Sequence, residues 1–246
     1  MTAIPQSRTS AEVQPLGVMT SGASVAALLA LQPAWAAFSG RPLVLLSRSV
    51  GIGESYIPNR LQRGEAADVV IVADDVLRHC MAQGWVLPDS RVPLHQSLIG
   101  MAVREGAAKP DISTVDSFQQ VLLAAKSVGY SASASGDYLA GELWPRLGIA
   151  ASVMPKAKRI GHERIAAVVA RGEVEIGFEQ ISELLPEPGI AHVTPLPPGA
   201  QRATLFSGGV AAASGDPAAA RALLQWLRSP PARQAFSDSG LEPLEA

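Results

Sequence analysis

The sequence predicts an α/β protein of two lobes. Two observations predict it: apolar runs of strand length alternate with stretches of helical periodicity, and the alternation occurs twice, as two βαβ sets. A third sets the scale. With 246 residues, 48% apolar and 17% charged, the chain has the material for a sizeable core.

Taken in order, Leu16 to Met19 reads as the first strand, Val25 to Ser39 as its helix and Leu43 to Ser47 as the next strand. Ile57 to Arg63 is a short helix, Asp68 to Val72 a third strand, and Val76 to Gln83 a helix closed by Gly84. A loop carrying Pro88 and Pro93 precedes a strand at Leu98 to Arg104, and Gly106 to Pro110 breaks the pattern again. The second set follows with helix Val115 to Ala125, strand Ser127 to Tyr130, helix Tyr138 to Leu147, helix Arg164 to Arg171 and strand Glu175 to Phe178. Ala203 to Ala212 is strand-like and leads into a helix at Ala218 to Leu227, where Asp216-Pro217 supplies a cap and a first-turn proline. Residues 1–14 read as a polar, flexible tail; residues 15–97 with 205–246 form one lobe and 98–204 the other, joined by a two-strand hinge with a cleft between them. Such clefts and the carboxyl ends of strands are where ligands bind.

Composition excludes several classes. A net charge of -2, with basic residues scattered, creates no field for nucleic acid. Cys80 is the single cysteine, which rules out an internal disulfide framework and reads as a small buried hydrophobe. The four histidines, at 79, 95, 162 and 192, lack paired ligand spacing, so no metal is expected. No cofactor is expected either, since Gly51-Ile-Gly53 is too short for a dinucleotide fingerprint and no GxSxG elbow occurs. Val25 to Ala37 resembles a secretory h-region ending in Ala34-Trp35-Ala36, but it lies far from the start, contains Pro33 and follows a strand, so it reads as the first core helix. No membrane insertion is expected. The protein is expected to be cytoplasmic as the sequence stands, or periplasmic if a leader has been removed.

Several stretches carry a resemblance. Ile57 to Val70 (IPNRLQRGEAADVV), Tyr130 to Leu139 (YSASASGDYL) and Val168 to Phe178 (VVARGEVEIGF) resemble the molybdate-binding branch of the type 2 periplasmic solute-binding fold, by order and spacing from about Leu16 to Leu241. Within that branch IPNRLQRG, KPDIS (109 to 113) and GFEQISEL (177 to 184) look closer to the aconitate isomerases. The resemblance implies a cleft that closes on a small anion, either an organic polycarboxylate or a tetrahedral oxyanion, with a transporter permease of the ABC type as a possible partner. The alternative it implies is an isomerase of an unsaturated tricarboxylate that removes and returns a proton.

It also implies where the anion sits, because the branch holds its ligand at helix N-termini, where N–H groups and the helix dipole favour negative charge. In Thr20-Ser-Gly-Ala-Ser24 the hydroxyls of Thr20, Ser21 and Ser24 are candidate donors, and Gly22 admits a close approach. An ordinary cap at Ser21 is equally compatible. Ser55 and Tyr56 fall in the family's ligand loop beside Glu54, which either turns outward or handles a proton. Arg60 is a candidate clamp for a carboxylate or a solvated helix charge. Ser133, Ser135 and Gly136, after Ser131, combine small hydroxyls with a helix start and form the clearest candidate cradle, with a capping cluster as the alternative. His162 is a candidate base or cationic contact, or a surface histidine. Gln180, next to Glu179, stands where the family has a ligand-contacting tyrosine.

Overall fold

The computed structural model describes residues 14–49 and 54–245. The expected tail up to residue 13 and the Gly51/Gly53 pair lie outside them. In chain order the elements are β1 (Leu16–Ser21), α1 (Val25–Ser39), β2 (Leu43–Ser49), α2 (Ile57–Gln62), β3 (Val69–Ala73), α3 (Asp74–Ala82), β4 (Val92–Ser97), β5 (Ile99–Arg104) and α4 (Val115–Ala124). Then come β6 (Val128–Ser131), α5 (Ala134–Tyr138), α6 (Trp144–Arg146), α7 (Ala150–Val153), β7 (Ala157–Ile160), α8 (Ile165–Ala170), β8 (Ile176–Gln180) and α9 (Ile181–Leu184). The chain finishes with β9 (Ile190–Pro195), β10 (Thr204–Val210), α10 (Pro217–Trp226), α11 (Pro230–Asp238) and β11 (Glu242–Pro243).

Two sheets result, in the orders β11-β4-β10-β3-β1-β2 and β7-β6-β8-β5-β9. The βαβ units expected from the alternation are present: β1 lies parallel to β2 and β3, and β6 parallel to β7 and β8. β3 is an unbroken apolar run with all five residues buried, as a central strand covered on both faces requires. Each sheet also contains an antiparallel strand that the alternation did not predict. β10 runs against β3 and β4, and β5 runs against β8 and β9. These strands carry the crossings: the chain leaves the first sheet after β4, enters the second through Leu98, and returns between β9 and β10.

Pro93 explains why β4 reads as a loop. Proline cannot donate to a ladder, but here it faces Ser207 beside the register shift between β10 and β4, where a missing N–H is tolerated. The expected helix from Tyr138 begins earlier, at Ala134, because Gly136 lets the turn settle on the Ser131 carbonyl; an ideal Cβ there would overlap that oxygen. The cap at Asp216 forms as expected, its carboxylate accepting from Ala219 N–H at 3.0 Å while Pro217 fills the first turn.

The lobes have separate cores. In the first, Leu28 and Trp35 of α1 pack with Val18, Ile71, Leu223 and Phe236. Trp35 meets Trp226 edge-on with ring centroids 5.5 Å apart. In the second, Phe118 and Phe178 meet edge-on at 5.9 Å, beside Tyr130 and Trp144. Each such ring, once buried, stabilises its lobe by about 1.5–3 kcal/mol. Gly22–Ser39 is long and apolar enough to cross a membrane by composition. In the fold it is a core element instead, with Val25, Ala27, Leu28, Leu31 and Trp35 buried.

Candidate functional site

Between the lobes lies a cavity of about 260 Å³. The first lobe lines it with Ser21 and Gly22 ahead of α1, Tyr56 and Ile57 at the start of α2, Asp75 of α3 and Phe206 of β10. The second lobe contributes Ser131, Ser133 and Asp137 around α5, and Glu179, Gln180 and Glu183 from β8 and α9. Both walls derive from one local rule. The chain leaves the carboxyl end of a buried strand and turns into a helix, so small polar residues at that turn face the space between the sheets.

The structure gathers Ser21, Tyr56, Ser133 and Gln180 of the expected set on this cavity. The Ser21 hydroxyl and Gln180 Oε1 are buried with no hydrogen-bond partner among the described residues, although Gln180 Nε2 donates to Thr204 Oγ1 at 3.3 Å. Burial pushes the Tyr56 phenol up, with help from the negative field of Cys80, Asp75 and Asp137. Ser135 stands behind the wall, fully buried, with its Oγ 3.0 Å from that of Ser131; Ser131 and Ser133 are 2.7 Å apart. Gly136 has the packing role already described.

The remaining expected residues point elsewhere. Thr20 is buried and donates to the Ser21 carbonyl at 3.2 Å. Ser24 is buried 2.9 Å from His95 Nε2. The Arg60 guanidinium is held at 2.7 Å by Glu65 and at 3.2 Å by the Leu46 carbonyl. Glu54 and Ser55 face solvent. The His162 side chain is 81% exposed, 3.3 Å from Glu163. These positions withhold support from His162 and Glu54 as proton-handling groups: an exposed side chain outside the cavity lies beyond hydrogen-bond reach of a ligand within it.

Two carboxyls escaped the reading as site residues. Glu179, 2% exposed, accepts from Ile165 N–H at 3.1 Å at the start of α8. Glu183, 8% exposed, rests against Gly22, where a Cβ would overlap its Oε2, and makes no hydrogen bond among the described residues. Burial raises both pKa values. Glu179 stands well above the usual carboxylate range, pushed further by Glu183, while the positive charge of Arg164 partly offsets the rise at Glu183, which reaches about 7. The signal was present in sequence. Glutamates four apart that continue the wholly apolar Ile176-Gly-Phe178 run are out of place unless the strand end meets a polar cavity. Asp75 and Asp137 add further acidity, Asp137 in an exposed pair with Arg159 at 2.7 Å. Among the described residues, no group of three or more His, Cys, Asp or Glu is arranged to hold a metal ion.

Two lobes, two chain crossings and a polar cavity at the strand ends define a solute-binding protein, and residues 16–242 match the family of bacterial extracellular solute-binding proteins. The chain belongs to that family. In sequence it is 48% identical to the aconitate isomerase of a Pseudomonas species, over 95% of this chain and 90% of that protein. In structure it is similar to the periplasmic molybdate-binding protein of Azotobacter vinelandii, with a TM-score of 0.74 at 18% identity over 92% of this chain and 98% of that one. It is also similar to the sulfate-binding protein of Mycobacterium tuberculosis H37Rv, with a TM-score of 0.72 at 17% identity over 94% and 87%. At those identities the structural likeness establishes the type 2 periplasmic binding fold.

Proposed function

We propose that the interlobe cavity takes up a small organic polycarboxylate and that the protein interconverts the isomers of an unsaturated tricarboxylate of the aconitate kind. The observation that carries this reading is the 48% identity to an aconitate isomerase over 95% of the chain, a span that includes both walls of the cavity. The site chemistry supports it. Ser21, Ser131, Ser133 and the Gln180 amide supply donors for carboxylate oxygens. A carboxyl whose pKa burial raises, as at Glu179, holds its proton more readily and can donate to a ligand carboxylate instead of repelling it, so an acidic cavity and an anionic ligand are compatible. Isomerisation needs no redox group. A proton leaves the allylic CH2, the charge spreads over three carbons and the adjoining carboxylates, and a proton returns at the far carbon; donors on the charged oxygens lower that barrier.

Incubating the purified protein with cis-aconitate and following the trans isomer by proton NMR tests the reading. Turnover is expected, together with thermal stabilisation by tricarboxylates. No turnover, with stabilisation by molybdate or sulfate alone, overturns it. The family description favours a second reading, in which the lobes close on a polycarboxylate and deliver it to a membrane permease. Tight binding without conversion would select that reading.

A further inference from the structure

We propose that Glu183 is the group that moves the proton in this cavity, with Glu179 beside it as the donor that steadies the ligand carboxylate. The assignment rests on the isomerase reading. Glu183 lines the cavity at the seam between the lobes, reaching from α9 in one to Gly22 in the other. It has no hydrogen bond among the described residues, so its oxygens are uncommitted. Glu179 differs: the Ile165 amide tethers one of its oxygens, which suits a fixed donor and not a group that swings between two carbons.

The other titratable groups on the cavity suit the task less well. Asp137 is held by Arg159 in solvent, and the Tyr56 phenol keeps its proton. Asp75 lies on the opposite wall in α3. Glu179 from β8, Asp75 from α3, Asp137 from α5 and Tyr56 ahead of α2 share the cavity with Glu183, and the charge of Arg164 ahead of α8 acts on it from outside the lining. Burial raises both carboxyls and the Glu183 charge pushes Glu179 further, which sets the pair up as an acid beside a base. Gly22 provides the room, because any side chain there would take the space of the Glu183 carboxyl.

The step balances without another reactant. The Glu183 carboxylate takes a proton from the allylic CH2, and the C–H electron pair becomes part of a delocalised allyl carboxylate anion. The Glu183 carboxylic acid exchanges its proton with solvent, and the far double-bond carbon then takes a proton from it, forming a new C–H bond and regenerating the carboxylate. The double bond has moved by one carbon, and the geometry of the bound anion determines which isomer is released.

Turnover of cis-aconitate in D2O, followed by proton NMR, is the test. Wild type is expected to place solvent deuterium on the allylic carbon, and its kcat/KM is expected to rise as Glu183 ionises. Glu183→Gln is expected to lose about 100-fold in kcat with KM within about threefold, and to lose the deuterium incorporation. Glu183→Asp should recover part of the rate. Gly22→Ala, which keeps both carboxyls but displaces one, should lower kcat and serves as the readout if Glu183→Gln does not fold. Glu183→Gln, or Gly22→Ala in its place, with wild-type kcat and deuterium uptake overturns the assignment while leaving the isomerase reading intact. A wild-type protein that forms no trans isomer overturns that reading itself.

Discussion

The two lobes open their first cavity-facing helix with the same recipe, small hydroxyl residues and a glycine, and put it to different uses. In Thr20–Ser24 the hydroxyls are turned inward. Thr20 bonds its neighbour's carbonyl and Ser24 meets His95, which is packed between Phe206 and Phe236, so only Ser21 is left on the cavity. In Ser131–Gly136 the hydroxyls bond mainly one another, and Ser131 and Ser133 remain on the cavity wall. The glycines differ as well. Gly136 lies against a backbone carbonyl, which cannot yield, whereas Gly22 lies against the end of a side chain. A hydroxyl or glycine at a helix start therefore faces the cavity or supports the scaffold according to what the fold sets behind it.

The largest expected effect breaks the scaffold half of this comparison. Gly136→Ala forces a Cβ into the Ser131 carbonyl and is expected to cost about 3 kcal/mol or more, measured by urea denaturation. A smaller loss than Gly22→Ala would contradict the contrast drawn between the two glycines.

The pH dependence of stability separates His95 from the glutamate pair. Burial holds the His95 imidazole down at about 3, so its contribution is complete above its ordinary value near 6.5 and is lost as pH falls from there. The loss should reach about 2 kcal/mol by pH 5. Glu183 is raised, so its contribution is present below the ordinary carboxylate value and lost as pH rises through about 7. A denaturation series should therefore peak between these limbs, at mildly acidic pH. Glu183→Gln should flatten the alkaline limb alone, and an unchanged limb would remove the glutamate pair from the account.

Ser24→Ala is next, at about 1–2 kcal/mol, because it strands Nε2 of a buried histidine. Its effect on ligand affinity should not exceed its effect on stability. Ser133→Ala reverses that pattern: stability within about 0.5 kcal/mol of wild type, and cis-aconitate affinity weaker by about fivefold in calorimetry. The smallest effect is at His162→Ala, whose kcat and KM should stay within about twofold because the imidazole lies in solvent. A large loss of kcat there would restore it as the base and displace Glu183.

Much of the architecture was legible because strand and helix periods are local. α1 occupies Val25–Ser39 as read, and the Asp216-Pro217 start of α10 formed as read. β4 and β9 were not legible, since Pro93 and the prolines around residues 186–198 look like breakers until a neighbouring strand accommodates them. At the site, hydroxyls at helix starts were found by residue type, while Glu179 drew notice only as the neighbour of Gln180 and Glu183 drew none, because residue type alone does not show that they are buried.

By itself the sequence determined the α/β class, the two sets of elements, the core helix α1 and the clustering of small polar residues at strand-to-helix turns. All of these follow from periodicity and backbone preference, which act over a few residues. Only the tertiary structure decided which hydroxyls reach the cavity, that His162 and Glu54 stay outside it, and that Glu183 meets Gly22 across the lobes. Burial and charge proximity depend on residues about 160 positions apart in the chain, and these are what set the chemistry of a carboxyl group.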